Sequence, residues 1–395
     1  MLMVTAETLR LRIGVIGAGN ISGIHLGALA QLADAGIHVV GICDLGQGKA
    51  SAKAEAFAVP SVCPNAETLI ASDQVDVVLV ATPTEEHLRL SVLALKAGKH
   101  VVCEKPMAMS VAECDAMIAV AGASTVSLFV VQNRLYTGAM GKAREMIHAG
   151  EIGDVIHVLT EGYEGEELAQ RMPSMTVDAN GVIRTQMMHQ TYVVPGLLGR
   201  EITSVNVRSN NRGRVPMRAL DVTASAIFTY DDGTIQTSIG TFGLSDGRTE
   251  HNLEIHGTDG DLRSTRVGRC GDRREILQHR CRGEQEWHDV KLREPRVLGP
   301  EFSAMWSAYA HSIHTGVEPP TTVAAARRSM VIIDAMYRSA ALRGKPVSLS
   351  IGRSAEIVPK SAKRLGTVPR PGLPITAPVG RPDVAFGGQA RSTVN

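Results

Sequence analysis

A glycine-rich turn near the start of the chain has the residue types and spacing of a dinucleotide site. Residues 10–25 read RLRIGVIGAGNISGIH, in which a short apolar strand runs through glycines into a helix. Gly17 permits the tight turn, and Gly19 lets the backbone approach a pyrophosphate with no side chain in the way. The helix begins at Asn20 and Ile21, where free N–H groups and the positive end of the helix dipole favour phosphate. We therefore predict that a dinucleotide cofactor binds at this turn.

An acidic residue at the end of the next predicted strand strengthens this interpretation. Asp44 follows the run HVVGIC and lies 22 residues after Ser22, the small residue at the third glycine position of the motif. A carboxylate there accepts hydrogen bonds from both hydroxyls of the adenosine ribose, and it repels the 2′-phosphate of NADP. The sequence thus favours NAD, while Lys49 and Lys53 leave NADP open. The alternative for Asp44 is a solvated residue at a strand end.

A third strand end carries polar residues at the sheet edge where ligands of open α/β sheets bind. The strand predicted at 75–81 is followed by TPTEEH, a loop that its proline holds stiff. We assign Thr82, Pro83 and His87 to the ribose side of the cofactor. The alternative for His87 is a residue at a helix start with an ordinary hydrogen bond.

A lysine and its neighbours follow the fourth predicted strand, at 100–103, in the order Glu104-Lys105-Pro106. A lysine fixed at this point lies near the nicotinamide. Its ammonium group can stabilise a developing alkoxide or hold a substrate hydroxyl, and a lowered pKa would also let it act as a base. We place Glu104 in the cofactor site with Lys105. The alternative is an exposed Lys-Pro pair in a loop.

The elements that position these residues alternate strand and helix up to about residue 130. This alternation predicts a doubly wound parallel sheet with helices on both faces. The predicted strands are Arg12–Ile16, Val39–Cys43, Val75–Ala81, His100–Cys103 and Val126–Val131. The 395 residues exceed one typical domain, so we assign residues 8–132 to a nucleotide-binding Rossmann domain and the rest to a second region.

The pattern after residue 133 is typical of an antiparallel sheet. Residues 234–239 read TIQTSI and alternate apolar with polar side chains after the turn DDG. We predict a second, α+β domain over 133–350. Its further strands are predicted at 155–161, 202–208, 224–230, 252–256 and 286–292, with a turn at 258–260 and helices at 301–314 and 324–342. Residues 351–395, rich in Pro and Arg, have too few large apolar side chains for a core, and we interpret them as a tail that is disordered or forms an arm over a neighbouring subunit.

Composition excludes several classes of protein. The formal net charge of +1 gives no electrostatic footprint for nucleic acid. No apolar run reaches the roughly 20 residues that span a bilayer, and no signal-peptide core precedes the first strand, so we expect a soluble, cytoplasmic protein. The six cysteines form no C-x-x-C pair, which argues against structural zinc and against a disulfide framework. We expect a small-molecule substrate and no metal, nucleic-acid or membrane partner.

Seven segments of the chain resemble the Gfo/Idh/MocA family of oxidoreductases, which includes glucose-fructose oxidoreductase and inositol dehydrogenases. They are GAGNISGIH (17–25), DVVLVATPTEEH (76–87), ALKAGKHVVCEKP (94–106), QNR (132–134), GEIGDV (150–155), IHGTDGDL (255–262) and VIIDAMYRSAALRGKPVSL (331–349). The resemblance implies an N-terminal Rossmann domain and a C-terminal domain with a large, mostly antiparallel sheet. It also implies a homodimer or homotetramer that forms through the open face of that sheet.

The same resemblance implies roles for three residues near the cofactor. Lys105 looks like the catalytic-site lysine of the family, and Pro106 resembles a proline that is often cis there. Arg134 matches a family arginine that either braces the domain interface or contacts cofactor or substrate. We include it among the cofactor-site residues.

A histidine in the second region resembles a catalytic residue of the family. His189, in the segment TQMMHQTY, matches the histidine of the family's D-x-G-x-H motif. The chain departs from that motif, because Thr185 stands at the aspartate position, Met187 at the glycine position and Tyr192 at a further acidic position. Thr185 can hydrogen-bond an imidazole but cannot stabilise imidazolium by charge, which leaves Tyr192 or Lys105 open as the proton acceptor. The alternative for His189 is a buried histidine with a satisfied hydrogen bond.

Together these residues predict an NAD-dependent oxidoreductase that removes a hydride from a secondary alcohol of a sugar, cyclitol or related polyhydroxylated compound. In this prediction His189 takes the hydroxyl proton and Lys105 stabilises the oxygen. The alternatives are an NAD-recycling glycosidase or lyase of the same fold, a dihydrodiol dehydrogenase, and a non-catalytic nicotinamide-binding protein.

Overall fold

A five-stranded parallel sheet forms the centre of the N-terminal region. The computed structural model describes residues 10–165, 181–212, 221–245, 249–268, 274–292 and 299–350. The strands are β1 (Leu11–Ile16), β2 (Ile37–Cys43), β3 (Val77–Val80), β4 (His100–Cys103) and β5 (Leu128–Val130), in the spatial order β2-β1-β3-β4-β5. Each neighbouring pair is parallel. The predicted parallel sheet is therefore confirmed, and the ends of its strands differ from the prediction by at most two residues.

Helices cover both faces of this sheet because its strands are apolar on both faces. They are α1 (Asn20–Ala30), α2 (Gln47–Ala56), α3 (Ala66–Ala71), α4 (His87–Lys96) and α5 (Val111–Gly122). On one face α1 packs in a cluster with Ile13, Val15 and Leu79. On the other face α4 and α5 pack in a cluster with Val78 and Val80. Because all five strands run the same way, the turns and loops that follow them meet at one edge.

A nine-stranded, mostly antiparallel sheet forms the second region. Its strands are β6 (Val155–Gly165), β7 (Ile202–Asn210), β8 (Thr223–Tyr230), β9 (Ile235–Leu244), β10 (Thr249–Gly257), β11 (Gly260–Val267) and β12 (Arg274–Cys281), with short edge strands β13 (His288–Asp289) and β14 (Val347–Ser348). The spatial order is β13-β12-β11-β10-β6-β9-β8-β7-β14. Among the described strands of this sheet, β6 and β9 form the single parallel pair. The predicted α+β architecture is confirmed.

The second sheet has one buried and one open face. The helices after residue 133 are α6 (Gly138–His148), α7 (Val182–Thr185), α8 (Gln190–Leu198), α9 (Pro300–Thr315) and α10 (Val323–Ala341). Buried apolar residues of the sheet, among them Val158 and Phe228, form one cluster with residues of α6, α8 and α10. The open face carries Ile227, Ile235 and Ile276, each about half exposed.

Besides the two-residue β14, two long strands of this sheet have no counterpart in the sequence prediction. They are β11 and β12, and the strand predicted at 286–292 is only the two-residue β13. On β11 the buried face includes Ser264 and Arg266, and on β12 only Leu277 is buried. Ser264 and Arg266 line the cleft beside His189, so polar side chains occupy inward positions and the apolar alternation that predicts a strand is absent from the sequence.

Helix α9 packs against the first sheet although it lies in the predicted second domain. Its residues Phe302, Met305, Trp306 and Tyr309 are buried in the cluster formed by α1 and one face of the parallel sheet. The predicted helices at 301–314 and 324–342 are present as α9 and α10. The boundary near residue 132 separates the two sheets and remains a prediction, and the predicted tail at 351–395 lies outside the described residues.

Candidate active site

Two glycines in the turn after β1 meet different constraints. Gly17 has a φ of +105°, and a Cβ added to it would lie 2.3 Å from the carbonyl oxygen of Ala81. Gly19 precedes α1, and no described atom lies within 4 Å of the position its Cβ would take. Gly19 and Asn20 are exposed, and Ile21 is half-buried. The turn therefore needs glycine at 17 and leaves open backbone at a helix N-terminus, an arrangement that fits a pyrophosphate.

The carboxylate of Asp44 holds this turn in place. Its Oδ2 accepts a hydrogen bond of 2.7 Å from the backbone N–H of Ala18, and its Oδ1 accepts one of 2.7 Å from Gly46. A carboxylate has about four acceptor positions, so some remain for a ribose diol. The next residue, Leu45, is fully exposed and brings no cation, and the Lys53 ammonium lies 5.7 Å from the centre of a phenylalanine ring. These groups fit the adenosine ribose of NAD.

His87 joins the loop after β3 to the loop after β4. Its Nδ1 lies 2.8 Å from the carbonyl oxygen of Pro106, and its Nε2 lies 3.0 Å from that of Thr82. Burial disfavours the charged ring, but Cys103 and these two carbonyls raise the pKa of His87 to about 9, so that both nitrogens donate. Because neither nitrogen is left for a cofactor, His87 positions the loops. His87 therefore fits the alternative, a residue at a helix start with ordinary hydrogen bonds, better than the predicted role of a cofactor ligand.

The loop after β3 also presents a free hydroxyl. Thr82 Oγ1 is buried and has no hydrogen-bond partner among the described residues. Pro83 follows it and precedes a 3-10 turn at Thr84–Glu86. An unsatisfied buried hydroxyl at the edge of the sheet fits a polar group of the dinucleotide, because such a group would otherwise lose its hydrogen bond on burial.

A buried chain of polar side chains lies behind Lys105. Glu104 Oε2 accepts a 3.0 Å hydrogen bond from the Lys105 backbone N–H, and its Oε1 lies 2.8 Å from Nε2 of His25. Nδ1 of His25 accepts a 3.0 Å hydrogen bond from the indole N–H of Trp306. Burial raises the pKa of Glu104, but His25 and Lys105 outweigh it and lower the pKa. Neither Trp306 nor His25 could be assigned a role from the sequence, although His25 closes the glycine-rich segment.

Lys105 itself lies half-buried at the carboxyl end of β4. Its peptide bond to Pro106 is cis, as the family resemblance implied. Its ammonium group makes no hydrogen bond to the described residues. Burial and Arg134 lower the pKa of Lys105, while Glu104 and Glu164 oppose this shift. Such an amine gives up its proton more readily than an exposed lysine, so it can contact a reacting oxygen and exchange a proton with it.

Tyr192 is the hydrogen-bond partner of His189. His189 ends the 3-10 turn that leads into α8, and its Nδ1 lies 2.6 Å from the Tyr192 hydroxyl. Thr185 does not contact the imidazole, because its hydroxyl donates a 2.7 Å hydrogen bond to the carbonyl of Gly181 in the preceding turn. From the sequence, Thr185 was the residue able to hydrogen-bond the imidazole and Tyr192 only an alternative proton acceptor, whereas in the structure the tyrosine is the hydrogen-bond partner.

The surroundings of His189 favour a neutral ring. Burial lowers its pKa well below the ordinary value, and the positive charges of Arg134, Lys105 and His251 lower it further. Burial raises the pKa of Tyr192, so the phenol stays protonated. The pair therefore consists of a neutral imidazole and a neutral phenol, in contrast to the carboxylate and imidazole that the family motif implies.

The buried face of the second sheet forms the floor of the cleft beside His189. Arg134 Nη2 lies 3.2 Å from Nε2 of His251. This histidine nitrogen also lies 3.6 Å from Glu164 Oε1. Arg134 thus connects the loop after β5 to the second sheet, as expected of a residue that braces the interface. Gln190 also lines the cleft, and its Oε1 is buried without a hydrogen-bond partner among the described residues.

Gln186 lies flat on this sheet because two strand residues are glycines. A Cβ on Gly162 would lie 1.3 Å from Gln186 Nε2, and a Cβ on Gly240 would lie 2.6 Å from its Oε1. The glycines stand on the neighbouring strands β6 and β9. They leave the space that brings Gln186, and His189 three residues later, close to the sheet. Gln186, Gly162 and Gly240 could not be assigned a role from the sequence, because isolated glycines in strands give no signal of what they accommodate.

The described ranges also bear on metal binding, disulfides and membrane-spanning helices. Within them, no group of three His, Cys, Asp or Glu side chains is arranged to hold a metal ion. The cysteines they contain are free thiols. None of their helices is both long enough and apolar enough to cross a membrane.

Comparison with known proteins identifies the family. Residues 11–132 match the family model described as oxidoreductase family, NAD-binding Rossmann fold, and residues 140–263 match the Gfo/Idh/MocA C-terminal domain. Inositol 2-dehydrogenase 1 of Saccharopolyspora erythraea is 30% identical over 316 residues, which cover 76% of this chain and 90% of the relative. The chain belongs to the Gfo/Idh/MocA family. The resemblance is thereby confirmed, and the cofactor of the Rossmann domain is NAD.

Other members of the Gfo/Idh/MocA family match over different lengths. The myo-inositol 2-dehydrogenase of Thermotoga maritima is 36% identical over 149 residues, which are 38% of this chain and 44% of that protein. The chain thus spans about half the length of the first curated relatives it matches. Among solved structures, levoglucosan dehydrogenase in complex with NADH and L-sorbose has a TM-score of 0.75 at 21% identity, covering 86% of this chain and 98% of that one. This likeness supports the fold.

Proposed function

We propose that this protein is an NAD-dependent dehydrogenase that oxidises a secondary alcohol of a sugar or cyclitol. The observation that supports the proposal is the electrostatic influence of Lys105 on His189, since the lysine charge is among the charges that lower the pKa of this buried imidazole. The relatives named inositol dehydrogenases support the substrate class. The buried oxygen of Gln190 gives this cleft an acceptor for a substrate hydroxyl.

The residues of the chain divide the work at the reacting alcohol. The turn at Gly19 and the carboxylate of Asp44 would hold NAD, which would supply the acceptor for the hydride of the carbinol carbon. Lys105 donates a hydrogen bond to the alcohol oxygen and stabilises the negative charge that develops there. His189 Nε2 takes the hydroxyl proton, which requires that Nδ1 carries a hydrogen and donates it to the Tyr192 oxygen. Because the pKa of His189 is low, Lys105 must acidify the alcohol for this transfer to occur.

The proposal is tested by the appearance of NADH. The purified protein is given NAD and a panel of sugars, cyclitols, glycosides and aromatic dihydrodiols, and NADH is followed by its near-ultraviolet absorbance. We expect turnover of at least one sugar or cyclitol. We expect Lys105→Met, which keeps the length of the side chain but removes its charge, to lower kcat at least 100-fold. We expect His189→Asn to lower kcat at least tenfold. These factors are about the magnitudes of lost electrostatic and acid-base catalysis.

Three outcomes would contradict the proposal in different ways. Full turnover in both variants would overturn the roles of the two residues and leave the reaction class intact. Cleaved glycosides without net NADH would identify a recycling glycosidase instead. Bound NAD with no product across the whole panel would identify a non-catalytic nicotinamide-binding protein.

We also propose that the protein forms a homodimer or homotetramer through the open face of the second sheet. Ile227 and Ile235 are exposed on adjacent strands of this face, and the rings of His157 and His256 stack there with centroids 5.8 Å apart. Light scattering after size exclusion should give a dimer or tetramer for the wild type. The pair Ile227→Glu and Ile235→Glu should give a monomer, whereas Val317→Glu, an exposed position outside the sheet, should not. A monomeric wild type would overturn the proposal.

A further inference from the structure

A hydrogen-bonded chain of buried side chains runs from α9 to the backbone of Lys105. Trp306 donates to Nδ1 of His25 at 3.0 Å, Nε2 of His25 lies 2.8 Å from Glu104 Oε1, and Glu104 Oε2 accepts from the Lys105 N–H at 3.0 Å. His25 and Trp306 are almost completely buried. None of these three side chains has a direct part in the chemistry proposed above. The hydrogen bonds that join them nevertheless end at Lys105, the lysine assigned to the reacting oxygen.

The indole of Trp306 fixes which nitrogen of His25 carries the proton. An indole N–H can only donate, so Nδ1 of His25 must present its lone pair. The single proton of the ring is then on Nε2, which donates to Glu104. A second proton on Nδ1 would place two N–H groups against each other inside the core. Trp306 therefore holds His25 in its uncharged form.

The charge of His25 matters because Glu104 acts on Lys105. The negative charge of Glu104 favours the ammonium form of Lys105 and opposes the effects of burial and Arg134, which lower its pKa. A positive charge on His25, 2.8 Å from the carboxylate, would cancel most of this effect in a buried site where charges are weakly screened. The neutral tautomer leaves Glu104 unopposed.

We propose that Trp306 is a positioning residue that sets the charge state of Lys105 at a distance, by keeping His25 neutral and so leaving the full negative charge of Glu104 to act on the lysine. The inference deepens the proposed function, since Lys105 is the group assigned to the reacting oxygen. It concerns a property of the lysine that is measurable without substrate or cofactor.

Phe302 provides a matched control for the packing around His25. It lies on the same helix as Trp306, and its ring meets that of His25 edge-on with centroids 4.8 Å apart. Its side chain is also buried, but it offers no hydrogen bond. Phe302→Leu therefore disturbs the packing of His25 and keeps the indole donor, whereas Trp306→Phe removes the donor and keeps an aromatic ring.

The experiment measures the reactivity of the Lys105 amine across pH. Trace acetic anhydride is reacted with the apo protein from pH 6 to 11, and acetylation of the peptide containing Lys105 is quantified by mass spectrometry, with the exposed Lys49 and Lys96 as internal references. Only the neutral amine reacts, and one unit of pKa changes its amount about tenfold. We expect Glu104→Gln to raise the acetylation rate of Lys105 at pH 7 about tenfold. Trp306→Phe should raise this rate about threefold, and Phe302→Leu should leave it unchanged.

A double variant separates charge from packing. In His25→Gln the side-chain amide still donates to Glu104 but cannot become charged. We expect Trp306→Phe combined with His25→Gln to return acetylation to the wild-type rate. If the double variant keeps the increase, or if Phe302→Leu produces as large an increase as Trp306→Phe, the effect comes from packing and the inference is overturned. A protein that shows the expected acetylation but oxidises no alcohol would refute the proposed function alone.

Discussion

Burial among positive charges determines the pH range in which His189, the proposed base, is available. A phenol orients an imidazole but cannot stabilise imidazolium by charge. The pKa of His189 lies well below its ordinary value because the ring is buried among positive charges. The neutral, proton-accepting form therefore persists into acid, and the activity should too.

Replacing Tyr192 with aspartate should raise the acid limit, the pH below which activity falls. A carboxylate near Nδ1 favours imidazolium and raises the pKa of His189 by about one unit or more, so kcat/KM should begin to fall at higher pH than in the wild type. Tyr192→Phe should keep the limit at low pH and lower kcat/KM about tenfold through lost orientation. The measurement is kcat/KM from pH 4.5 to 9 for all three proteins.

A neighbouring hydroxyl gives the control for this series. Thr191 Oγ1 donates to the Met188 carbonyl on the same helical turn and does not contact the imidazole. Thr191→Val should leave the pH limit where it is in the wild type. If Tyr192→Asp also leaves it there, His189 is not the base, and Lys105 becomes the first candidate for the proton acceptor.

Residues whose role is fixed by local spacing could be identified from the sequence, and residues that act through contacts distant in sequence could not. Asp44 and Lys105 stand at strand ends, so the pattern alone brings them to the cofactor edge. His25 and Trp306 are 281 residues apart and become partners only when α9 packs on α1. His87 had the right position for a ligand, but only the structure shows that its two nitrogens are bound by backbone carbonyls.

Among the elements, the turn between β1 and α1 allows a prediction that separates folding from cofactor binding. Gly17→Ala would strain a φ of +105° and press a methyl group against the Ala81 carbonyl, so it should lower the free energy of unfolding by more than about 3 kcal/mol. Gly19→Ala meets no described atom and should leave stability nearly unchanged, while its methyl group should weaken NAD binding at least tenfold. Thermal unfolding and NAD titration calorimetry check the pair, and equal loss of stability in both variants would contradict it.

The glycines under Gln186 give a second prediction for an element. Gly162→Ala would place a Cβ 1.3 Å from Gln186 Nε2, which forces Gln186 and the turn bearing His189 away from β6. Because a shift of about 1 Å at a catalytic group costs on the order of 100-fold, kcat should fall by about that factor while the protein still folds. Gly243→Ala is the control on β9, since its Cβ would meet only ordinary contacts of 3.5 Å. Wild-type kcat in Gly162→Ala would show that the turn does not depend on this space.

The secondary structure could be predicted where burial imposes a pattern. The parallel strands and helices α9 and α10 have continuous or periodic apolar residues, and the predicted and observed ends nearly agree. β11 and β12 could not be found in this way. Arg266 occupies an inward position on β11 because it faces an ionic partner, and inward charges remove the alternation on which the prediction depends.

At the scale of the whole molecule, one buried ion pair connects the second sheet to the helix that covers the first. Arg266 on β11 donates a 2.7 Å hydrogen bond to Glu301 on α9, and both side chains are at most 10% exposed. Arg266→Met would leave the Glu301 charge buried and unpaired, so the free energy of unfolding should fall by about 3 kcal/mol. The double variant Arg266→Met, Glu301→Gln should recover part of that loss. Urea unfolding measures both.

An exposed ion pair supplies the comparison. Arg327 pairs with Asp115 at the surface, with side chains 36% and 52% exposed, so Arg327→Met should cost less than about 1 kcal/mol. If Arg266→Met costs no more than Arg327→Met, the buried pair does not hold the two regions together.

The position of α9 in the chain also has a consequence for how the protein is made. The helix that covers one face of the first sheet, and that supplies Trp306, comes from residues 300–315. During synthesis the five parallel strands leave the ribosome early, but the apolar surface beside α1 stays uncovered until almost the whole second sheet has emerged. A nascent chain released before that point exposes an apolar face and has an incomplete nucleotide site. We therefore expect the cell to obtain either the complete enzyme or a fragment that chaperones retain, and no free-standing NAD-binding half.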